Sequence, residues 1–297
     1  MTKRKGMGYL SGNPNKNETE HFSVKQMKLP PGITYDSIFS DIRNDLITLK
    51  NLNLTIPKLI EKDMDEEHQK INNYLLKKSK SNRQLKKDLV RTTKLMKNFI
   101  DGKISKKSIT IHAEIAEFLM RKAEIIVFMR ESNIFIREMS MLYLTTKFEE
   151  FLRKMLLITF QKNKGCLKTK QKTLTFEELS CFKNINELER AMIDKELDTL
   201  FYQDIEKINE YLKTSFKIDL SKYKDWNLFK ERFYRRNILV HNNGFPNDIY
   251  KIKTGYKGSN KKLNISKQYL NGSIKIFDNF SKKFFNDFQE KFKGKTL

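Results

Sequence analysis

His241 lies in the part of the chain where residues suited to acid–base chemistry are most concentrated. Segment 226–250 reads WNLFKERFYRRNILVHNNGFPNDIY, and Arg235, Arg236 and Asn237 fall within the six residues before the histidine. An imidazole gains or loses a proton near neutral pH, and a guanidinium is a permanent cation whose forked donors suit phosphate. The combination predicts cleavage of a phosphodiester. One group would take the proton of a 2′-hydroxyl, and another would protonate the leaving 5′-oxygen, with no requirement for a metal ion.

Helical spacing places these side chains on different faces. Asn237 and His241 are four residues apart and share a face, so we expect the amide to orient the imidazole. Arg236 precedes His241 by five residues, which turns it about 140° away around a regular helix. Either the helix distorts near His241, or a second copy of the segment completes the site. Asn237 also falls on a predicted apolar line, made of Trp226, Phe229, Phe233 and Val240.

The helix that carries these residues is predicted to span 225–243 and to stop at Asn242-Asn243-Gly244, with Pro246 preventing continuation. His241 would then lie in the last turn, near the negative end of the helix dipole, which favours the protonated imidazole. A purely structural interpretation also stays open. In it, the histidine and arginines satisfy the last carbonyls of the helix, and Asn237 has no catalytic role.

The string from Arg236 to His241, RNILVH, resembles the R-x4-H signature of HEPN-domain ribonucleases. The longer string RRNILVHNNGFPNDIY is similar to the form found in bacterial abortive-infection proteins and related defence or toxin proteins. The sequence FEEFLRKML at 148–156 is also similar, and the resemblance covers about 134–290. The positions that match the longer pattern are Arg235, Arg236, Asn237, Val240, His241, Gly244, Asn247 and Tyr250.

The resemblance implies a metal-independent endoribonuclease, a toxin or anti-phage effector, that acts as a homodimer with a composite cleft. By the same resemblance Arg236 would bind the scissile phosphate, His241 would act in acid–base chemistry, and Asn237 would support both. Tyr234 stands where such proteins often have an acidic residue, with Glu231 nearby. Because some HEPN domains are inactive, a non-catalytic RNA-binding or dimerisation adaptor is the alternative.

The charge balance favours a polyanionic partner. The chain has 297 residues, with 59 Lys and Arg against 36 Asp and Glu, for a net charge of +23. Such a surplus predicts affinity for nucleic acid, although a lysine-rich composition bias gives the same number. We expect Arg232, Arg235, Lys251 and Lys253 to contact RNA. An antitoxin or another defence-system protein is a further expected partner.

No cofactor is expected, and the scattered His and Cys residues predict no metal site. His112-Ala113-Glu114 matches the H-x-E of zinc deaminases, but the P-C-x-x-C partner of that motif is missing. The two cysteines give no disulfide framework. Neither a signal peptide nor a membrane span is predicted, so we expect a soluble cytoplasmic protein.

The elements that must position the site are all predicted to be helices, in an all-α, HEPN-like bundle. We expect a flexible basic arm over 1–30, an additional helical region over 31–130 and the HEPN-like domain over 131–297. Two loops are predicted at 163–173 and 251–262. A first helix is predicted from Thr34, with a turn at Leu54–Pro57, and the other helices near 57–78, 81–101, 108–131, 134–162, 176–182, 186–199, 202–214 and 264–293.

Overall fold

The computed structural model describes residues 32–80, 86–88, 90–92, 94, 98, 113–167 and 175–292. These residues form helices joined by turns and loops, with no strand among them, so the all-α prediction is confirmed. The predicted arm over 1–30 lies outside the described residues. The helices are α1 Tyr35–Ser79, α2 Ala113–Lys162, α3 Phe176–Ser180, α4 Ile185–Phe201, α5 Ile205–Phe216, α6 Trp226–His241, α7 Asp248–Thr254 and α8 Lys267–Phe292, with short 3-10 turns at Lys164–Cys166 and Leu220–Lys222.

Two long helices replace four predicted ones. α1 begins with a capping box between Thr34 and Ser37 and continues through Pro57 for 45 residues. A proline inside a helix costs about 3 kcal/mol, so the predicted turn was reasonable locally. Beyond Pro57, however, α1 still contacts α2, because Glu67 pairs with Lys122 of α2, and Ile71 is buried. Packing against another helix therefore outweighs the local penalty, and the predicted break is wrong.

α2 joins the segments predicted as separate helices over 108–131 and 134–162 into one helix of 50 residues. The domain boundary predicted between residues 130 and 131 thus lies inside a continuous helix. The first half of α1 also contributes Ile38, Ile42 and Leu46 to the same core as α2 and α8. The chain has no break at the predicted boundary, because both sides of it share helix and core.

Phenylalanines fix the helix that carries the candidate site. The ring of Phe229 in α6 stacks on Phe280 of α8, with 3.9 Å between ring centroids. It also meets Phe148 of α2 edge-on, at 5.0 Å. Phe148, Phe229 and Phe280 are all fully buried. Aromatic pairs of this kind add to the free energy of area burial, so the first half of α6 is held firmly between α2 and α8.

A short helix was missed after the candidate site. Residues 251–262 were predicted to be a loop, but α7 covers Asp248–Thr254 and only 255–266 are non-helical. Asn247 caps α7 by accepting from the backbone N–H of Tyr250 at 2.8 Å, and Gly255 ends it with φ +69°. The sequence does contain the two residues that bound this helix, the capping Asn247 and Gly255. The lysine-rich composition between them favours a loop, which is why the helix was not predicted.

The helix predicted over 81–101 lies mostly outside the described residues, and those of its residues that are described are helical. Among the described helices, none is long and apolar enough to cross a membrane.

Candidate functional site

α6 runs as a regular helix up to His241 and stops as predicted. The backbone N–H groups of Asn242 and Gly244 both donate to the carbonyl of Ile238, at 2.9 and 2.8 Å. Gly244 has φ +81°, which favours glycine, and a Cβ there would also press on the side chain of Lys262 at 3.2 Å. The helix is continuous to its end, so the first of the two alternatives, a distortion near His241, does not occur.

The buried face of α6 differs from the predicted apolar line in its last turns. Phe229 and Phe233 are buried as expected, but Val240 is 53% exposed. Tyr234 and Ile238 are buried instead, in a small cluster with Tyr250 of α7. Helix α7, which the sequence analysis did not predict, explains the difference. It covers a face of α6 that the apolar pattern indicates to be exposed to solvent.

His241 is exposed, and in the described part of the chain it makes no hydrogen bond or ion pair. Asn237 is half-buried, and its Oδ1 accepts from Nη1 of Arg236 at 3.1 Å. The amide is therefore used by the neighbouring arginine, and not by the imidazole as the sequence predicted. His241 keeps its ring nitrogens open to solvent or to a ligand.

Arg236 is held by Glu149, a carboxylate from α2 to which the sequence analysis assigned no role. Nη2 of Arg236 donates to both oxygens of Glu149, at 2.9 and 2.7 Å. Burial raises the pKa of Glu149, and the attraction of Arg236 offsets part of that rise. Glu149 and Arg236 each keep about a quarter of their side chain exposed, so the pair lies at the edge of the core.

A second carboxylate, Glu231, collects four donors from three helices. Its Oε1 accepts from Nε of Arg235 at 3.0 Å and from the hydroxyl of Tyr250 at 2.5 Å. Its Oε2 accepts from Nη1 of Arg232 at 2.8 Å and from the hydroxyl of Tyr269 at 2.6 Å. These five residues, called the Glu231 cluster below, tie α6 to α7 and α8.

The guanidinium groups of the Glu231 cluster are also packed between aromatic rings. Arg232 lies 4.3 Å and Arg235 lies 4.9 Å from the ring centroid of Tyr269. Arg232 is only 8% exposed and donates to Oγ of Ser273, and Arg235 donates to the carbonyl of Leu263. The sequence placed both arginines on an RNA surface. The structure places them inside the protein, where the carboxylate and rings that pair with them come from segments remote in sequence.

The charges and hydrogen bonds within the Glu231 cluster favour the ionised form of the Glu231 carboxylate. Burial raises the pKa of Glu231, but the charge of Arg235, the hydroxyls of Tyr250 and Tyr269 and the charge of Arg232 more than offset this, so the pKa is lowered overall. For both tyrosines, burial and the nearby carboxylate raise the pKa. The cluster thus has one carboxylate shared by two cations, with both phenols protonated.

The two lysines predicted to bind RNA lie on α7, and their surroundings differ. Nζ of Lys253 pairs with Glu206 at 2.7 Å. Tyr234 donates to the same carboxylate at 2.6 Å. Burial raises the pKa of Glu206, but Lys253, Tyr234 and Lys230 outweigh it and hold the value at about 2. Much of the charge of Lys253 is therefore compensated, whereas Lys251 has only a 3.5 Å pair with the exposed Asp248.

The described residues contain no group of three or more His, Cys, Asp or Glu side chains placed to hold a metal ion. Comparisons of the chain with protein-family models, with curated proteins and with solved structures give no match. The resemblance of the α6 motif to HEPN ribonucleases therefore stays a prediction.

We expect Glu231→Gln to destabilise the fold by about 2–4 kcal/mol at pH 7, because it removes the buried charge shared by two guanidinium groups. The pKa of Glu231 is lowered in the folded state from its usual value of 4.5. Its stabilising effect is therefore fully present above that pH and is lost as the pH falls below it. Urea unfolding at pH 7 and at successively lower pH measures both effects.

Glu177→Gln is the control, because Glu177 is exposed on α3. The difference in unfolding free energy between the wild type and Glu231→Gln should shrink as the solution becomes acidic. Equal stability of these two proteins at pH 7 would contradict the assigned role of the cluster.

Proposed function

We propose that this chain is a metal-independent endoribonuclease of HEPN type, and a toxin or anti-phage effector. The observation that carries the proposal is the state of His241, an exposed imidazole at the last residue of a rigidly packed helix. Arg235, Arg236 and Asn237 each make hydrogen bonds within the protein, so among the described residues of the motif's RRN-x3-H core His241 is the polar side chain that makes none.

The proposed reaction needs no other groups than those the motif supplies. A base removes the proton of the 2′-hydroxyl, the 2′-oxygen bonds to phosphorus, and the bond to the 5′-oxygen breaks as that oxygen is protonated. The products are a 2′,3′-cyclic phosphate and a 5′-hydroxyl. His241 would serve in these proton transfers, and Arg236 would donate hydrogen bonds to the phosphate as negative charge develops on it.

A second copy of the chain would complete the site. Because α6 is regular, Arg236 and His241 of one copy point about 140° apart. Exposed apolar side chains lie close to His241 in sequence, and Ile249 and Ile252 share one face of α7 at 64% and 80% exposure. Such a patch supports an interface that brings two α6 ends together.

The positive surface proposed to meet RNA is shifted from the predicted one. In the loop over 255–266, Lys257 and Lys261 are exposed and have no ion pair within the described residues. This loop lies beside the end of α6, because the N–H of Leu263 donates to the carbonyl of Gly244 at 2.9 Å. We therefore place Lys257 and Lys261, together with Lys251, along the path of the RNA.

The alternative function is a non-catalytic adaptor that binds RNA or a partner. Its support is the pairing of Arg232, Arg235 and Arg236 with carboxylates, since in an inactive protein those pairs would be purely structural. An adaptor would bind RNA equally well with and without the imidazole of His241 and would show no turnover.

His241→Ala should lower the rate of RNA cleavage by about 100-fold or more, as expected for the loss of an acid–base group. The assay uses purified protein in EDTA and identifies 2′,3′-cyclic phosphate ends on the products. His68→Ala is the matched control, because His68 lies half-buried on α1 and should leave the rate unchanged. Wild-type cleavage by His241→Ala would exclude the proposed chemistry, and binding without turnover by the wild type would favour the adaptor.

Removing two lysines of the loop should weaken RNA binding about 3–10-fold and reduce its salt dependence, with a log–log slope less steep by about 1.4 for a single strand. The variant Lys257→Ala/Lys261→Ala is measured with His241→Ala present, so that RNA stays intact. Lys222→Ala/Lys224→Ala is the control, because these exposed lysines flank the opposite end of α6, about 24 Å away. An equal effect of both pairs would indicate only a general attraction of the charged surface.

Carboxylates on the exposed face of α7 should prevent pairing of two copies. We expect Ile249→Asp/Ile252→Asp to sediment as a monomer and to cleave RNA about 10-fold more slowly at low concentration, because a charge in an apolar interface is unfavourable. The control is Phe176→Asp/Leu179→Asp, which places the same charges at exposed positions on α3. A wild-type protein that is monomeric and fully active would contradict the composite site.

A further inference from the structure

Glu149 and Arg236 form the contact that joins α2 to the candidate site. One nitrogen of the guanidinium, Nη2, donates to both carboxylate oxygens, and Nη1 donates to the amide oxygen of Asn237. A guanidinium has five N–H groups, so N–H groups of Nε and Nη1 remain without a partner among the described residues. The side chain is thus fixed through Nη2 and keeps donors on Nε and Nη1 for a ligand.

The carboxylate is itself held by a rigid element. Glu149 lies on α2 between Phe148 and Phe151, both of which are buried in the main core. Its backbone therefore cannot shift without disturbing the packing of α1, α6 and α8. An arginine on α6 that is tied to this point loses the freedom of its long side chain before any ligand arrives, which is how a preorganised site lowers a reaction barrier.

Stability alone does not explain the pair. Burying a carboxylate costs free energy, and a partly buried ion pair seldom stabilises a fold more than apolar side chains of similar size. The raised pKa of Glu149 agrees with this, because Arg236 does not fully offset the burial. The pair also leaves the arginine electrically neutralised, so its remaining donors act by direction more than by net charge.

We propose that Glu149 is a positioning residue of the ribonuclease site, which holds the guanidinium of Arg236 so that its free N–H groups meet the scissile phosphate. This inference rests on the proposed function. Glu149 does not touch the substrate, and it acts through Arg236. The class of ligand it prepares for is a phosphodiester, whose oxygens accept hydrogen bonds from the N–H groups of Nε and Nη1 that remain free.

The test compares kcat and KM for RNA cleavage, expressed per folded molecule, in full-length variants. Glu149→Ala should lower kcat about 10–100-fold with little change in KM, because the arginine stays present but loses its fixed position. Glu149→Gln should lie between this variant and the wild type, since the amide oxygen still accepts one hydrogen bond. Glu150→Gln is the matched control: the adjacent carboxylate pairs with Lys147 and Lys154 along α2, and its loss should leave kcat unchanged.

Substitution of Arg236 alone is not a sufficient test of this inference, because it leaves the partly buried carboxylate of Glu149 without its cationic partner. We expect Arg236→Ala to melt several degrees below the wild type and Arg236→Ala/Glu149→Gln to recover most of that shift, with both inactive. A kcat of Glu149→Ala equal to that of the wild type would overturn the inference and leave the ribonuclease function intact. So would faster cleavage, which would indicate that Glu149 inhibits the reaction. A wild type that cleaves no RNA overturns the function itself, and this inference with it.

Discussion

The buried carboxylate of Glu231 is the constraint on which the arrangement of the site depends. A charge enclosed in protein must be compensated, and Glu231 is compensated by Arg232, Arg235, Tyr250 and Tyr269 together. Those donors come from α6, α7 and α8, so satisfying one carboxylate fixes three helices. The end of α6, its stop at Gly244 and the loop that follows are consequently held in one geometry.

This compensation divides the basic residues of the motif into two groups. Arg232 and Arg235 lie inside and hold helices together, whereas Arg236 lies at the edge of the core and His241 is exposed. Adjacent arginines in a sequence therefore have unrelated roles, because a helix turns each successive side chain by about 100°. Arg235 faces Glu231 four residues earlier in the same helix, and Arg236 faces Glu149 on another helix.

Much of the local structure could be predicted from the sequence, because it depends on neighbouring residues. The all-helical fold, the bounds of α4, α5, α6 and α8 to within about three residues, and the stop of α6 at Gly244 follow from apolar spacing and from helix-ending residues. The continuation of α1 through Pro57 could not be predicted, since it depends on packing against α2. The burial of Arg232 and Arg235 likewise requires Tyr250 and Tyr269, whose positions a sequence pattern does not give.

The geometry also limits how such a site could recognise RNA. Arg236 forms a pair with Glu149 and adds little net charge, so in the proposed function the long-range attraction of a phosphate would come from exposed lysines. Arg236 would then act on the phosphate at short range, through oriented hydrogen bonds. Since Arg236 points away from His241 of the same helix, the proposed roles of the two residues would be combined where the ends of two α6 helices face each other. In the proposed function a single chain would therefore supply half of a cleft, with its arginine held by Glu149 of α2 and its imidazole open to a second copy of the chain.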